Sequence, residues 1–310
     1  MDERNKIFFM NLENFFINKF GNDFKKDINL SNYSWFNLGG KADYFFKAKD
    51  KDQLLKFLNE ANEKKLKITI LGAGSNTLFR DKGVRGAVIK LGGNFSYQKI
   101  LSNNVIEVGA ATLDRKLSDF AKDNHLKNFE FLSCIPGSIG GAIIMNSGCY
   151  DDDISKIFIS AKAIDISKLK EIEIKKEDLK FFYRGTNLPN NLIIISAKFR
   201  GKEAKKEEIE KKQNELIEKK KKSQPSQIKT CGSTFKNINK DKKAWRLIKD
   251  SGCDYFSQGD ASISKKHCNF FINNGNAKSA DIENLINKVK KKVYEKTGVN
   301  LELEIKIVGE

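Results

Sequence analysis

The sequence predicts an α+β protein in two unequal parts, and three observations carry that prediction. Short apolar runs of strand length alternate with amphipathic helical segments along the whole chain. Two glycine-rich loops interrupt the β-rich first part. A Lys/Glu run over 202–222 then separates it from a compact C-terminal layer. With 310 residues the chain has room for about two domains, and the expected boundaries are 1–28 for an N-terminal helical segment, 29–200 for the β-rich region and 201–310 for the C-terminal domain.

Each element has its own signal. Phe8, Leu12, Phe15, Phe16 and Phe20 recur at helical spacing, so 6–26 is expected as one amphipathic helix that Gly21 is placed to stop. Residues 42–46 read as a strand, 52–63 as a helix presenting Leu54, Leu55, Phe57 and Leu58, and 67–71 as a second strand, which together make a βαβ-like opening. Strands follow at 86–91 and 105–108, then a helix at 113–124, a glycine-dense stretch at 136–148, and strands at 157–166 and 192–199. The 202–222 run has only Ile209, Leu216 and Ile217 as an apolar stripe, the pattern of a solvated helix or a connection. Beyond it come a helix at 244–250, a strand at 268–273, a long helix at 280–296 and a last strand at 301–308. No internal repeat is visible.

Composition excludes several classes. The 57 Lys+Arg against 40 Asp+Glu give a formal charge of +17, but only 7 of the 57 are Arg. Arginine is the residue that forks onto phosphates and guanine edges. Scattered lysine reads as background composition, and nucleic-acid binding is not expected. Five widely spaced cysteines without a C-x-x-C pair, and two histidines, argue against a zinc site or a disulfide framework. No apolar run is long enough to span a bilayer, and the opening MDERNK has no basic segment followed by an apolar one. A cytoplasmic protein without membrane insertion, metal or obligate protein partner is expected.

Three groups of residues carry chemistry. Leu71-Gly72-Ala73-Gly74-Ser75-Asn76 follows a strand, and its glycines allow successive backbone N–H groups to converge on a phosphate. It lacks the third glycine and the following helix of the Rossmann fingerprint, and alone it is equally well read as a tight turn. The second group is Pro136-Gly137-Ser138-Ile139-Gly140-Gly141-Ala142, continuing to Asn146 and Gly148. Small residues there suit a backbone lying against an extended ligand, or a close-packed helix start. Two such loops in one β-rich region point to a dinucleotide. The third group is scattered: Tyr183-Arg184, Gly232-Ser233 and Glu304. Strand alternation puts Glu302, Glu304 and Lys306 on the face opposite Leu301, Leu303, Ile305 and Ile307. Taken singly, Glu304 reads as a solvent-facing strand residue and Ser233 as a turn hydroxyl.

Taken in order, these segments resemble the UDP-N-acetylenolpyruvoylglucosamine reductase (MurB) family. The matching pieces are Phe36-Asn37-Leu38-Gly39-Gly40-Lys41-Ala42, Gly72 to Asn76, Ile135 to Asn146, Tyr183-Arg184, Gln224-Pro225, Gly232 to Asn237, Ser264 to Phe270, and Leu301 to Ile305. Any one is common, whereas the ordered set over roughly residues 30 to 309 is specific. The resemblance implies an FAD-binding region of the vanillyl-alcohol-oxidase type over 29–200 and a C-terminal domain that closes over substrate. FAD would be the cofactor, held by Leu71, Gly72, Ala73, Gly74, Ser75, Asn76, Pro136, Gly137, Ser138, Gly140, Gly141, Ala142, Asn146 and Gly148. NADPH would reduce it, and hydride would then pass to the enol ether of UDP-N-acetylglucosamine enolpyruvate. Arg184, Ser233 and Glu304 would be catalytic: the guanidinium and Glu304 on the carboxylate side, the serine as proton donor. A glutamate in that role donates only if it is protonated or bridged by water, so its pKa should be raised. Tyr183, Lys236 and Asn237 would hold the nucleotide sugar.

Some positions depart from the family pattern. Thr186 stands where serine is usual, and Ser147 and Cys149 stand where alanine is usual. The interval between Arg184 and Gln224 leaves no room for the tyrosine-bearing substrate loop of one subgroup. The rival readings are another FAD oxidoreductase of the same fold, a basic nucleic-acid-binding protein, and a nucleotide-sugar binder without turnover.

Overall fold

The first sheet is mixed. Phe24–Asn29 runs antiparallel to Lys41–Ala48, which pairs in parallel with Val84–Leu91, and Ile68–Leu71 lies parallel on the far side. This is a computed structural model, and it describes residues 13–239 and 241–310. The helix Lys51–Glu63 crosses between the first two parallel strands. It starts where the Asp50 carboxylate accepts from the N–H of Gln53, and it buries Leu54, Phe57, Leu58 and Ala61 against the sheet. Phe57 stacks on Phe46 with ring centroids 4.0 Å apart, and Phe16 and Phe20, from helical residues 13–20, close the same cluster.

The helix expected over 6–26 ends before Gly21, the residue placed to stop it, and only its continuation to 26 is corrected. Residues 6–12 fall outside the described residues, Gly21 enters a short turn at φ +56°, and residues from Phe24 form a strand. Phe24 stacks on Phe16 and Tyr44, and the free edge of Lys41–Ala48 supplies the strand with backbone partners. Tertiary pairing overrides the helical rhythm there.

The second sheet is antiparallel, in the order Lys170–Lys175, Phe158–Asp165, Leu192–Arg200, Val105–Gly109, Gln98–Ile100. Its two outer strands were not expected from the sequence: both are charged or polar, as exposed edges tend to be. The helices Asp114–Asp123 and Ile139–Ile144 pack over it, with Leu117, Phe129, Phe131, Ile143, Phe158 and Phe199 in one core. The Lys/Glu run also corrects an expectation. It forms a helix, Lys206–Ser223, that buries Ile209, Gln213 and Leu216, and the Gln213 amide donates to the carbonyl and hydroxyl of Ser118. It is a packed part of the first region as well as a connection.

The C-terminal layer comprises the helix Ala244–Asp250, the antiparallel strands Ser257–Gln258, Ala261–Ile263 and Phe271–Asn273, and the helix Ser279–Thr297, which ends on Gly298 at φ +68°. Its core takes in Phe36, Leu38 and Leu78 from the first half. The strand expected over 301–308 divides in two. Glu304 N–H bonds the Thr234 carbonyl at 2.9 Å within the C-terminal layer, whereas Lys306–Val308 returns to pair in parallel with Thr77–Phe79. The strand expected over 268–273 is confined to its last three residues.

Candidate active site

One cavity of about 890 Å³ lies where the two regions meet, toward the upper end of the ~300–1,000 Å³ that small-molecule and cofactor sites occupy. Both glycine loops line it, as do residues 192–194, residues 224–228, Ser233 and Glu304. The loops are brought together by packing. A Cβ on Gly72 would stand 2.9 Å from Ser138 Oγ, so the two loops lie within side-chain contact of each other. Gly74, at φ +72°, is pressed against the Tyr33 carbonyl, which a Cβ would meet at 1.8 Å. Thr77 to Phe79 is a strand, so the first loop is no Rossmann turn. The second loop leads into the short helix Ile139–Ile144, whose Ile139 and Gly140 N–H groups are taken by the Thr112 and Ala110 carbonyls.

Two half-buried ammonium groups flank these loops. Lys90 donates to the Gly72 carbonyl and Lys220 to the Cys134 carbonyl at 2.6 Å, and burial depresses both lysine pKa values. A bound diphosphate would favour their charged forms. Lys220 belongs to the 202–222 run, which sequence reasoning placed outside any site; its position one turn beyond Leu216 is the signal that points it inward. The cavity, the apposed glycines and the paired cations together fit a dinucleotide such as FAD.

The reacting end is built on a hairpin. Phe181–Phe182 and Gly185–Thr186 pair through a turn at Tyr183 and Arg184, where Arg184 adopts φ +57°. Its Nε donates to Glu304 Oε1 at 2.7 Å, with side chains 21% and 17% exposed. Burial pushes the Glu304 carboxyl upward, and the Arg184 guanidinium only partly offsets this. For Arg184 burial disfavours the charge, but Glu304 and Tyr183 outweigh it, and the pKa is raised. Asn76 ties the first glycine loop to this end: its amide donates to the Glu304 carbonyl at 3.0 Å.

Leu71 to Asn76, Pro136 to Ser138, Gly140 to Ala142, Gly148, Arg184, Ser233 and Glu304 all line the cavity. Asn146 does not. It is buried at φ +40°, its amide donating to the Phe182 carbonyl and its Oδ1 accepting from Ser155 N–H, so it braces the loop against the arginine hairpin. Tyr183, Lys236 and Asn237 also lie outside the cavity wall. Tyr183 Oη accepts from the Asn237 amide at 3.2 Å, and Asn237 Oδ1 accepts from the Ala244 N–H, while Lys236 faces Glu302 at 3.6 Å. Sequence reasoning missed the segment 226–228, Cys134, Cys149, Ile193 and Ile194, all cavity residues. Their apolar or turn character is indistinguishable from core and loop.

This fold and cleft define an FAD-dependent oxidoreductase, and residues 42–168 match the FAD binding domain family. Residues 224–308 match the UDP-N-acetylenolpyruvoylglucosamine reductase C-terminal domain. The UDP-N-acetylenolpyruvoylglucosamine reductase of Pelagibacter ubique (strain HTCC1062) is 48% identical over 298 residues, covering 94% of this chain and 98% of that protein. The one from Wolbachia pipientis wMel is 42% identical over 286 residues, covering 92% and 96%. The crystal structure of the enzyme from Thermus caldophilus superposes with a TM-score of 0.79 at 30% identity, covering 91% of this chain and 98% of that one. The chain belongs to the UDP-N-acetylenolpyruvoylglucosamine reductase family.

Proposed function

We propose that this protein reduces UDP-N-acetylglucosamine enolpyruvate to UDP-N-acetylmuramate at the expense of NADPH, a step of peptidoglycan precursor synthesis carried out in the cytoplasm. The observation that carries the reading is the Arg184–Glu304 pair, which opens into the same cavity as both glycine loops and Ser233. The two glycine loops would hold FAD, which when bound would supply the hydride chemistry between NADPH and the enol ether.

Addition leaves electron density on the adjacent carbon and its carboxylate. Arg184 meets that charge with a fixed guanidinium, already desolvated and so effective at short range. Ser233, held beside the Phe270 backbone bridge, delivers a proton to the carbon. A serine is a weak acid, but the carbanion-like centre is a strong base, so the transfer runs downhill. Glu304 acts on the carboxylate side; its upward-shifted carboxyl is in the direction that a hydrogen-bond donor requires. Tyr183, Lys236 and Asn237 hold the nucleotide sugar from outside the cavity wall, with the chain beyond the helix Lys206–Ser223 closing over the flavin region.

The test follows flavin colour under anaerobic conditions. NADPH should bleach the yellow protein, and the enolpyruvyl sugar nucleotide should restore the colour. Ser233→Ala should bleach at the normal rate and recover on the order of a hundredfold more slowly, the usual loss for a missing proton donor. Recovery at the wild-type rate removes Ser233 from its role, and a protein that cannot be loaded with FAD removes the whole reading.

A further inference from the structure

The cleft wall also carries chemistry that the reduction does not use. Cys134 ends the short turn Glu130–Cys134 immediately before Ile135-Pro136, and Cys149 sits in the hairpin of Gly148–Cys149 with Asp152–Asp153. Both line the cavity. We propose that Cys134 and Cys149 are a redox-active dithiol in the wall of the cleft, which a peroxide oxidises to an intramolecular disulfide and a thiol reductant restores.

The geometry holds the two sulfurs together. The strand that bears Cys149 packs on the turn that bears Cys134, the Cys149 thiol donates to the Phe131 carbonyl at 3.3 Å on that turn, and each thiol shifts the other's ionisation. The hairpin is fixed by Tyr150 and Asp151, both left-handed at φ 53° and 68°, the pairing that tight two-residue turns need. Ser133 Oγ lies 3.8 Å from Cys134 Sγ, and the Lys220 ammonium sits on the Cys134 carbonyl.

These neighbours set the two thiols different tasks. The neighbouring Cys149 thiol foremost, with help from Ser133 and Lys220 against the effect of burial, pulls Cys134 down to about 6, which favours the nucleophilic thiolate. Cys149 is held upward by the adjoining Cys134 sulfur and by burial, with Lys220 and Arg184 acting weakly the other way. Cys231 and Cys253 are pushed up to about 11 by burial, and Cys268 is also raised, so those three are poor nucleophiles. The Cys134 thiolate attacks one peroxide oxygen and breaks the O–O bond, giving a sulfenic acid and one water after protonation. Once Cys134 is a sulfenic acid, the neighbouring thiolate that helped hold Cys149 upward is gone; Cys149 then attacks the sulfenic sulfur, forming S–S, and its proton leaves with the displaced hydroxyl as the second water. Two thiols and one peroxide thus become one disulfide and two waters. The bond ties the turn before the Pro136 loop to the hairpin after it, so it bears on the backbone that cradles the cofactor; this last consequence rests on the FAD reading.

The experiment treats the FAD-loaded protein with one equivalent of hydrogen peroxide, then reads intact mass, titratable thiols in denaturant and a peptide map. The five free thiols should fall to three, with a mass loss of about 2 Da, a linked peptide joining Cys134 to Cys149, and full reversal by dithiothreitol. Cys149→Ala should form no link and instead yield a sulfenic acid at Cys134 that dimedone traps, while Cys268→Ser should link as the wild type does. The oxidised wild type should lose FAD on a desalting column that retains it in the reduced protein. Absence of the 134–149 link, or equal oxidation of the other three cysteines, overturns the proposal; a link with full FAD retention overturns its bearing on the cofactor. A link in protein that never binds FAD leaves the dithiol standing and removes the flavin reading, so the two fail separately.

Discussion

Asp114 opens the helix Asp114–Asp123 with no exposed surface, and neither of its carboxylate oxygens has a hydrogen-bond partner. Burial alone pushes its carboxyl well above the usual carboxylate range, which favours the neutral acid. In the unfolded chain the same group ionises near pH 4. Between that value and the folded pKa the native state binds the extra proton, so stability is full below the window and falls as pH rises, by about 1.4 kcal/mol per unit. Asp114→Asn removes the proton linkage. Urea unfolding should therefore show the variant gaining on the wild type as pH goes from 4 to 8, and parallel stabilities across that range would show that the acid is charged and paired. Asp114 also explains Gly137, where a Cβ would stand 2.3 Å from Asp114 Oδ2. The sequence marked Gly137 as a position without room for a side chain, but it credited the ligand; the crowding partner is a buried acid 23 positions away in the chain. Glu304 was legible only through the resemblance, because alternation alone sends it to solvent. It faces the cavity because Arg184, from a hairpin 120 residues earlier, comes to meet it.

At the scale of elements, amphipathic periodicity located the helices Lys51–Glu63, Asp114–Asp123 and Ser279–Thr297 to within a residue, and Asp50 and Gly298 mark two of their ends. It failed where the partner decides the conformation. Lys170–Lys175 has one buried residue and draws its strand geometry from pairing with Phe158–Asp165, and the stretch after Gly21 became a strand for the same reason. The helix Lys206–Ser223 shows both sides. Its stripe was visible, yet its docking depends on Gln213, a polar residue that no hydrophobic pattern flags, which reaches Ser118 Oγ at 2.7 Å. Leu216 is 6% exposed in the same face, and Leu216→Ala should cost about 2–5 kcal/mol, the usual range for truncating a buried leucine. Because Lys220 lies one turn further along, the loosened helix should also bind FAD more weakly. Urea midpoints and flavin titration read the two effects separately, and a loss below about 1 kcal/mol would mean that the helix is only a solvated connection.

At the scale of the whole molecule the +17 charge has two parts. Most lysines lie away from the cavity, but Lys90, Lys220 and Lys306 line it, and the first two are partly desolvated. Phosphate-bearing ligands thus meet a small set of built cations inside a diffuse positive field that salt screens. Among the described residues no helix is long and apolar enough to cross a membrane. What couples the flavin region to the substrate region is the return of residues 306–310. Lys306 N–H bonds the Asn76 carbonyl at 2.9 Å, Arg80 N–H bonds Val308, and Lys82 and Gly83 exchange bonds with Glu310. The strand Lys306–Val308 therefore holds the first glycine loop two residues beyond Glu304, and the shared core around Phe36, Leu78 and Phe235 spans the same junction. Both regions should unfold in one transition, with flavin release and loss of circular dichroism superimposed. Lys306→Pro, compared with Lys306→Ala, which removes the same cavity-lining ammonium but keeps the N–H, isolates the Asn76 bond, because proline has no N–H to donate. It should leave the dichroism spectrum unchanged, weaken FAD binding, and move flavin release to a lower temperature than global unfolding. If release and unfolding still coincide in that variant at the wild-type temperature, the coupling is carried by the shared core alone.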